Sequence, residues 1–284
     1  MRHSHFLRIG PVGFRIGSDW RAPIAALAEL YRDYPIPDVA DYTVRLYASQ
    51  PWRRWIRPSV MIGGDYMLPE AAPLPLAHGL LAAEMAMNLQ LALGHRRHLL
   101  LHASVVERDG RALLMTGESG AGKSTLSALL AANGWRFMGD EFALLDPLTG
   151  SVHAFPRLIS LKNESVAAAK TAWPKGRFGP LLAGTPKGDI RHLVPPADAI
   201  ARMDDPATAA LLLFPRHGAA ADVRDVPPSE AFIRLTQAST NYVALGERGF
   251  DALTSLIRTI PARAIDYPDG DTAIRLVEDL WAQL

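Results

Sequence analysis

The sequence predicts an α/β protein, and three observations carry that prediction. A short apolar run, Ala112 to Thr116, leads into a glycine-rich loop and then into apolar residues at helical spacing from Thr125 to Ala132. Strand-like runs alternate with helical patterns through the rest of the chain after about residue 95. Hairpin signals such as Asp109-Gly110 are more frequent than a doubly wound sheet usually shows, so a mixed sheet with flanking helices is expected.

Taken in order, residues 1–95 read as a small α+β module. Phe6 to Ile9 and Val12 to Ile16 suggest two strands about a Gly10-Pro11 turn. Ile24 to Tyr34 has helical periodicity and stops at Pro35. Tyr42 to Tyr47 alternates like a half-buried strand, and Leu76 to Leu93 reads as a helix ending at Gly94. Between them, Trp52-Arg53-Arg54-Trp55-Ile56-Arg57 is a basic-aromatic cluster. It reads as a strand packed on one face and solvated on the other, or as a contact for phosphates or nucleic acid.

Residues 96–284 read as the second domain. Leu99 to Val106 is a strand pattern, followed by the Asp109-Gly110 turn and the loop-bearing strand. Asn133-Gly134 stops the helix after the loop. Trp135 to Gly139 is a further strand, which Phe142 to Leu145 continues past Asp140-Glu141. Strands are also expected at Leu158 to Leu161, Arg191 to Val194, Ala209 to Phe214 and Arg263 to Tyr267. Helices are expected at 249–259 and 272–283, the second capped by Asp271.

The 284 residues are nearly half hydrophobic, enough for a substantial core. A net charge of +1 gives no overall pull towards nucleic acid or an anionic membrane, and neither partner is expected. With no cysteine, disulfides and thiolate metal sites are excluded, and a reducing cytoplasmic setting is expected. Neither a signal peptide nor an apolar stretch long enough to span a bilayer is evident.

Chemistry concentrates between residues 102 and 162. Gly117-Glu118-Ser119-Gly120-Ala121-Gly122-Lys123-Ser124 completes the pattern G-x-x-x-x-G-K-[ST]. Backbone N–H groups in such a loop converge on phosphate oxygens, lysine bridges the β and γ phosphates, and serine offers a hydroxyl to Mg²⁺. The helix that Thr125 continues adds its positive end. Asp140-Glu141 closes the next strand, where a carboxylate can organise Mg²⁺ or accept a proton from an attacking hydroxyl. His102, alone on an apolar strand, reads from spacing as a core histidine. Arg157 and Lys162 carry charges suited to a phosphoryl group or an anionic substrate, although a regular strand sends residues five apart to opposite faces. Lys187 sits in a glycine-flanked loop able to close over substrate, or is an exposed lysine. Arg216 reads as a surface charge at a strand end, or as facing the nucleotide.

The stretch from His102 through the phosphate loop to Asp140-Glu141 resembles HPr kinase/phosphorylase, a bacterial serine kinase. The likeness is closer to the related kinases called HPr-kinase-related kinase A, through Gly134-Trp135-Arg136, Pro156 to Asn163 and Thr185-Pro186-Lys187-Gly188. That resemblance implies a core like that of phosphoenolpyruvate carboxykinase. It implies an ATP- and Mg²⁺-dependent kinase acting on a hydroxyl of a peptide, protein or small molecule, with a homo-oligomer open. By the same resemblance Ser124 and Asp140 bind metal, Glu141 is the base and His102 is an active-site histidine. Glu141 stands where HPr kinase has aspartate, so Asp140 is the alternative base. Thr125 stands where that family has glutamate, and the motif associated with phosphorolysis is missing.

Overall fold

The computed structural model describes residues 2–68, 71–186 and 188–284. Lys187, expected in a closing loop, therefore lies outside the described residues. The architecture is α/β with mixed sheets, divided into two compact units. One takes residues 1–95 together with 177–194; the other takes 96–176 and 195–284.

In the first unit, five strands lie in chain order: His3–Ile9, Val12–Ser18, Tyr42–Ala48, Ser59–Gly64 and Leu74–Pro75. The first two form a hairpin turned by Gly10, which adopts φ 49°, and Pro11. The second and third are parallel, so the chain must cross over between them, and helix Arg21–Leu30 does so. Helix Gly79–Gly94 buries Leu81 against Leu182 and Ile190 of a hairpin formed by Leu182–Thr185 and Gly188–Leu193. The basic-aromatic cluster is not a strand. Pro51 opens a 3-10 turn, Pro51–Arg54, and Pro58 follows Arg57, so prolines at both ends interrupt any ladder. Trp52 and Trp55 are 57% and 73% exposed, where a strand with one packed face would bury one of them.

The second unit is built on a larger mixed sheet. Ala103–Arg108 and Arg111–Thr116 form the expected hairpin, with Asp109 and Gly110 both at positive φ as a two-residue turn requires. Arg111–Thr116 runs parallel to Ala207–His217, which runs parallel to Ala262–Tyr267. Side-chain alternation along these strands feeds two helical layers. Leu113, Met115, Leu211 and Leu213 pack with Leu126 and Leu130 of helix Lys123–Ala132 and with Val277 of helix Gly270–Trp281. Leu114, Leu212 and Phe214 turn the other way, towards Leu235 of helix Pro228–Ala238 and Leu253 and Leu256 of helix Glu247–Thr259. The sheet is thus covered on both faces, and the phosphate loop leaves the C-terminal end of one of three adjacent parallel strands.

Three local expectations are corrected. The strand pattern from Leu99 is broken at His102, giving Leu99–Leu101 and Ala103–Arg108, because the His102 N–H leaves the ladder for the Ala238 carbonyl at 2.7 Å. Its partner breaks at the same level: Arg136–Gly139 and Ala143–Leu145 are separate strands, pairing Ala103–Arg108 and Leu99–Leu101 respectively. The C-terminal helix is capped by Asp269, not Asp271. The Asp269 backbone is extended and its Oδ1 accepts from Thr272 N at 2.8 Å. Among the described residues no helix is long and apolar enough to cross a membrane.

Candidate active site

The paired breaks at His102 and Asp140-Glu141 face the phosphate loop. Gly117, Gly120 and Gly122 all take positive φ (153°, 89° and 94°), which lets successive amides turn inward. Lys123 begins the helix and is 6% exposed. Its ammonium donates to the loop's own carbonyls, Gly117 at 2.7 Å and Glu118 at 2.9 Å. Burial lowers its pKa from the ordinary lysine value, and the charge of nearby Lys162 pushes the same way; Asp140 and Glu141 oppose them. Glu118, Ser119 and Gly120 form the exposed outer part of the loop, and Thr125 is half-buried in the first helical turn.

Asp140 is 4% exposed. The Ser104 hydroxyl donates to its Oδ1 at 2.7 Å, and the nearby Ser124 hydroxyl and Ser160 N–H also favour the charged form of its carboxylate. Burial nevertheless raises its pKa, and the neighbouring Glu141 charge adds to the rise. Glu141 is the accessible member of the pair, its side chain a third exposed. Its carboxylate Oε2 lies 3.5 Å from His102 Nδ1, which also meets the Glu141 carbonyl at 3.1 Å. A carbonyl only accepts, so the proton in that contact belongs to Nδ1.

Strand Ile159–Lys162 borders the site. Ile159 and Leu161 are buried, while Ser160 and Lys162 share the opposite side, where Ser160 reaches Asp140 and Lys162 lies within electrostatic range of Lys123. The strand starts at Ile159, so the alternation argument does not extend to Arg157, which is buried ahead of it. Arg216 is exposed and ion-paired with Asp266 on the neighbouring parallel strand, as a surface charge.

Three residues of this site were not singled out from the sequence. Ser104 was within reach of the alternation rule, being two residues beyond His102. Ser160 shares that relation with Lys162. Tyr267 had no local signal: it ends a parallel strand far along the chain, is 3% exposed, and donates from its hydroxyl to the Ala121 carbonyl at 3.4 Å. A Cβ on Gly122 would overlap that hydroxyl oxygen.

A test follows for the loop geometry. Gly122→Ala places a side chain at φ 94° and against Tyr267, so MgATP binding is expected to weaken about 100-fold, about 2.7 kcal/mol. Gly122→Ala combined with Tyr267→Phe removes the overlap but not the backbone strain, and titration with a fluorescent ATP analogue should show partial recovery.

The donor chemistry fits a magnesium nucleotide. Ser124 and Asp140 would offer hard oxygens to Mg²⁺, an ion that usually relies on one or two protein oxygens plus substrate phosphates and water. Among the described residues no group of three or more His, Cys, Asp or Glu side chains is placed to hold a metal. The positive-φ glycines of the loop and the Lys123 ammonium suit the phosphate chain itself.

No family model matches the chain, and no curated protein matches it. Among solved structures, it is similar to the HPr(Ser) kinase/phosphatase from Coxiella burnetii, at 17% identity over 65% of this chain and 94% of that one, with a TM-score of 0.30.

Proposed function

We propose that this chain transfers the γ-phosphoryl group of ATP to a hydroxyl, using a core of the phosphoenolpyruvate carboxykinase-like, HPr-kinase-related kind. The observation that carries the reading is the closeness of loop to acid: Ser124 of the phosphate loop lies beside the buried Asp140, with Lys123 and Glu141 within electrostatic range. Ser124 and Asp140 would hold Mg²⁺, which when bound offsets charge on the β and γ phosphates. Loop amides and Lys123 bind the phosphates and stabilise negative charge in the transition state.

Glu141 is the proposed base. The Asp140 carboxylate is buried and already takes a hydrogen bond from Ser104, whereas Glu141 is open to an incoming acceptor and is backed by His102. Glu141 takes the acceptor's proton, the acceptor oxygen bonds to the γ-phosphorus, and the bond from that phosphorus to the bridging oxygen breaks, releasing ADP. Lys162 is positioned to offset charge near Lys123, and Arg157 is assigned a supporting part in anion binding. The acceptor is a hydroxyl of a peptide, a protein or a small alcohol.

Incubating the protein with MgATP and mixed hydroxyl acceptors, then searching by mass spectrometry for an 80 Da gain, tests the reading. Slow ADP release with water as the acceptor, unchanged by every hydroxyl supplied, would instead make the chain a nucleotide-dependent switch.

A further inference from the structure

The first unit carries a groove of about 730 Å³ lined by Gln50, Trp52, Arg53, Arg57, Pro73 and Pro75 among others. Among the described residues no acidic side chain lines it. From Ser49 to Ser59 the chain has three arginines and no aspartate or glutamate, against a whole-chain charge of only +1. The three arginines are used differently. Arg54 is part of the scaffold: its guanidinium donates to Asp19 O at 2.7 Å and lies over the Trp55 ring, and Arg54 O accepts from Trp20 Nε1 at 3.0 Å. Arg53 and Arg57 line the groove; the Arg53 guanidinium donates to Arg57 O at 3.4 Å, and neither side chain forms an ion pair among the described residues.

The walls are stiff. Pro51 sets the 3-10 turn, the Ser49 and Ser59 hydroxyls are joined at 2.8 Å, and Ser59 pairs with Pro75 across a short ladder. Arg57 holds φ 45°, a left-handed conformation that a non-glycine residue keeps only where its surroundings over-determine it. A rigid concavity with an exposed indole and two guanidinium groups is preformed for a ligand.

We infer that this groove binds a single extended peptide segment carrying acidic side chains, with carboxylates on Arg53 and Arg57 and an aliphatic or proline residue against Trp52. Guanidinium forks match carboxylates two bonds at a time, and aromatic grooves between prolines take extended chains edge-on. Two guanidinium groups in a cleft do not form the long cationic track that duplex nucleic acid needs, and a concave surface does not lie flat on a bilayer.

Binding here needs no nucleotide, so it stands or falls apart from the phosphoryl-transfer reading. The probe is a fluorescein-labelled twelve-residue peptide repeating Glu-Pro-Leu, followed by anisotropy with the full chain. Expected is binding at least ~10-fold tighter than to the same peptide with lysine for glutamate, weakening with salt. Arg53→Glu with Arg57→Glu should weaken it at least ~10-fold, and Trp52→Ala several-fold, with circular dichroism unchanged. If charge reversal disturbs the fold, Arg53→Gln with Arg57→Gln gives the same readout. Equal affinity for the two peptides, or insensitivity to the arginine changes, overturns the inference. So does tighter binding to anionic phosphatidylserine vesicles or to duplex DNA than to the acidic peptide.

Discussion

Lys123→Ala is expected to lower MgATP turnover by about 10³-fold or more, roughly 4 kcal/mol of transition-state stabilisation. The ammonium is held inside the loop by the Gly117 and Glu118 carbonyls, at the place where a bound phosphate chain would offer it better acceptors. Its burial, and the nearby Lys162, already disfavour the charged form in the folded protein. Truncation therefore relieves a cost as well as losing two hydrogen bonds, and the melting temperature without nucleotide should change little. Lys123→Arg should not rescue, because a planar fork cannot sit where a compact ammonium is enclosed. Steady-state ADP release and thermal melting check both halves; near-normal turnover in Lys123→Ala would sink the assignment of the loop.

Asp140→Asn is expected to cost about 10³-fold in turnover while making the nucleotide-free protein more stable at neutral pH. Burial, then the charge of Glu141, raise the Asp140 pKa above the ordinary aspartate value. The folded protein then holds that proton more tightly than the unfolded chain does. The group's contribution to stability is full below the unfolded value and is lost as pH rises from there through the folded value. At neutral pH, above the unfolded value, this group is a burden on the fold, which the neutral amide removes. Melting curves of the two proteins should diverge at pH 7 and converge near pH 3. A higher Mg²⁺ requirement in Asp140→Asn would accompany the lost turnover, whereas Glu141→Gln should lose turnover with its Mg²⁺ dependence intact. Equal or lower stability of Asp140→Asn at pH 7 would contradict the electrostatic account.

Local signals were legible where backbone chemistry is decided within a few residues. The glycine pattern of 117–124 reports left-handed dihedrals directly, and Asp109-Gly110 and Asn133-Gly134 reported a hairpin turn and a helix end for the same reason. The strand break at His102 was not legible. It depends on the Ala238 carbonyl, more than 130 positions away, drawing one N–H out of the ladder. Likewise the cluster at 52–57 has a strand-like composition, and only the prolines at its ends argued otherwise. The cap at Asp269 was misplaced by two residues, because two aspartates flank Gly270 and only the chain's approach to the helix selects between them.

By itself the sequence determined the α/β class, the strand–loop–helix around residues 111–132, and an acidic pair following it. Periodicity, glycine dihedrals and proline are properties of short segments, so they survive without a tertiary frame. Tertiary structure alone decided that Ser104, Ser124 and Ser160 converge on Asp140, that Tyr267 closes beneath Gly122, and that residues 177–194 pack with 1–95. Those outcomes depend on which strands become neighbours. Strand neighbours are chosen by burial summed over the sheet and its helical layers, which no short segment encodes.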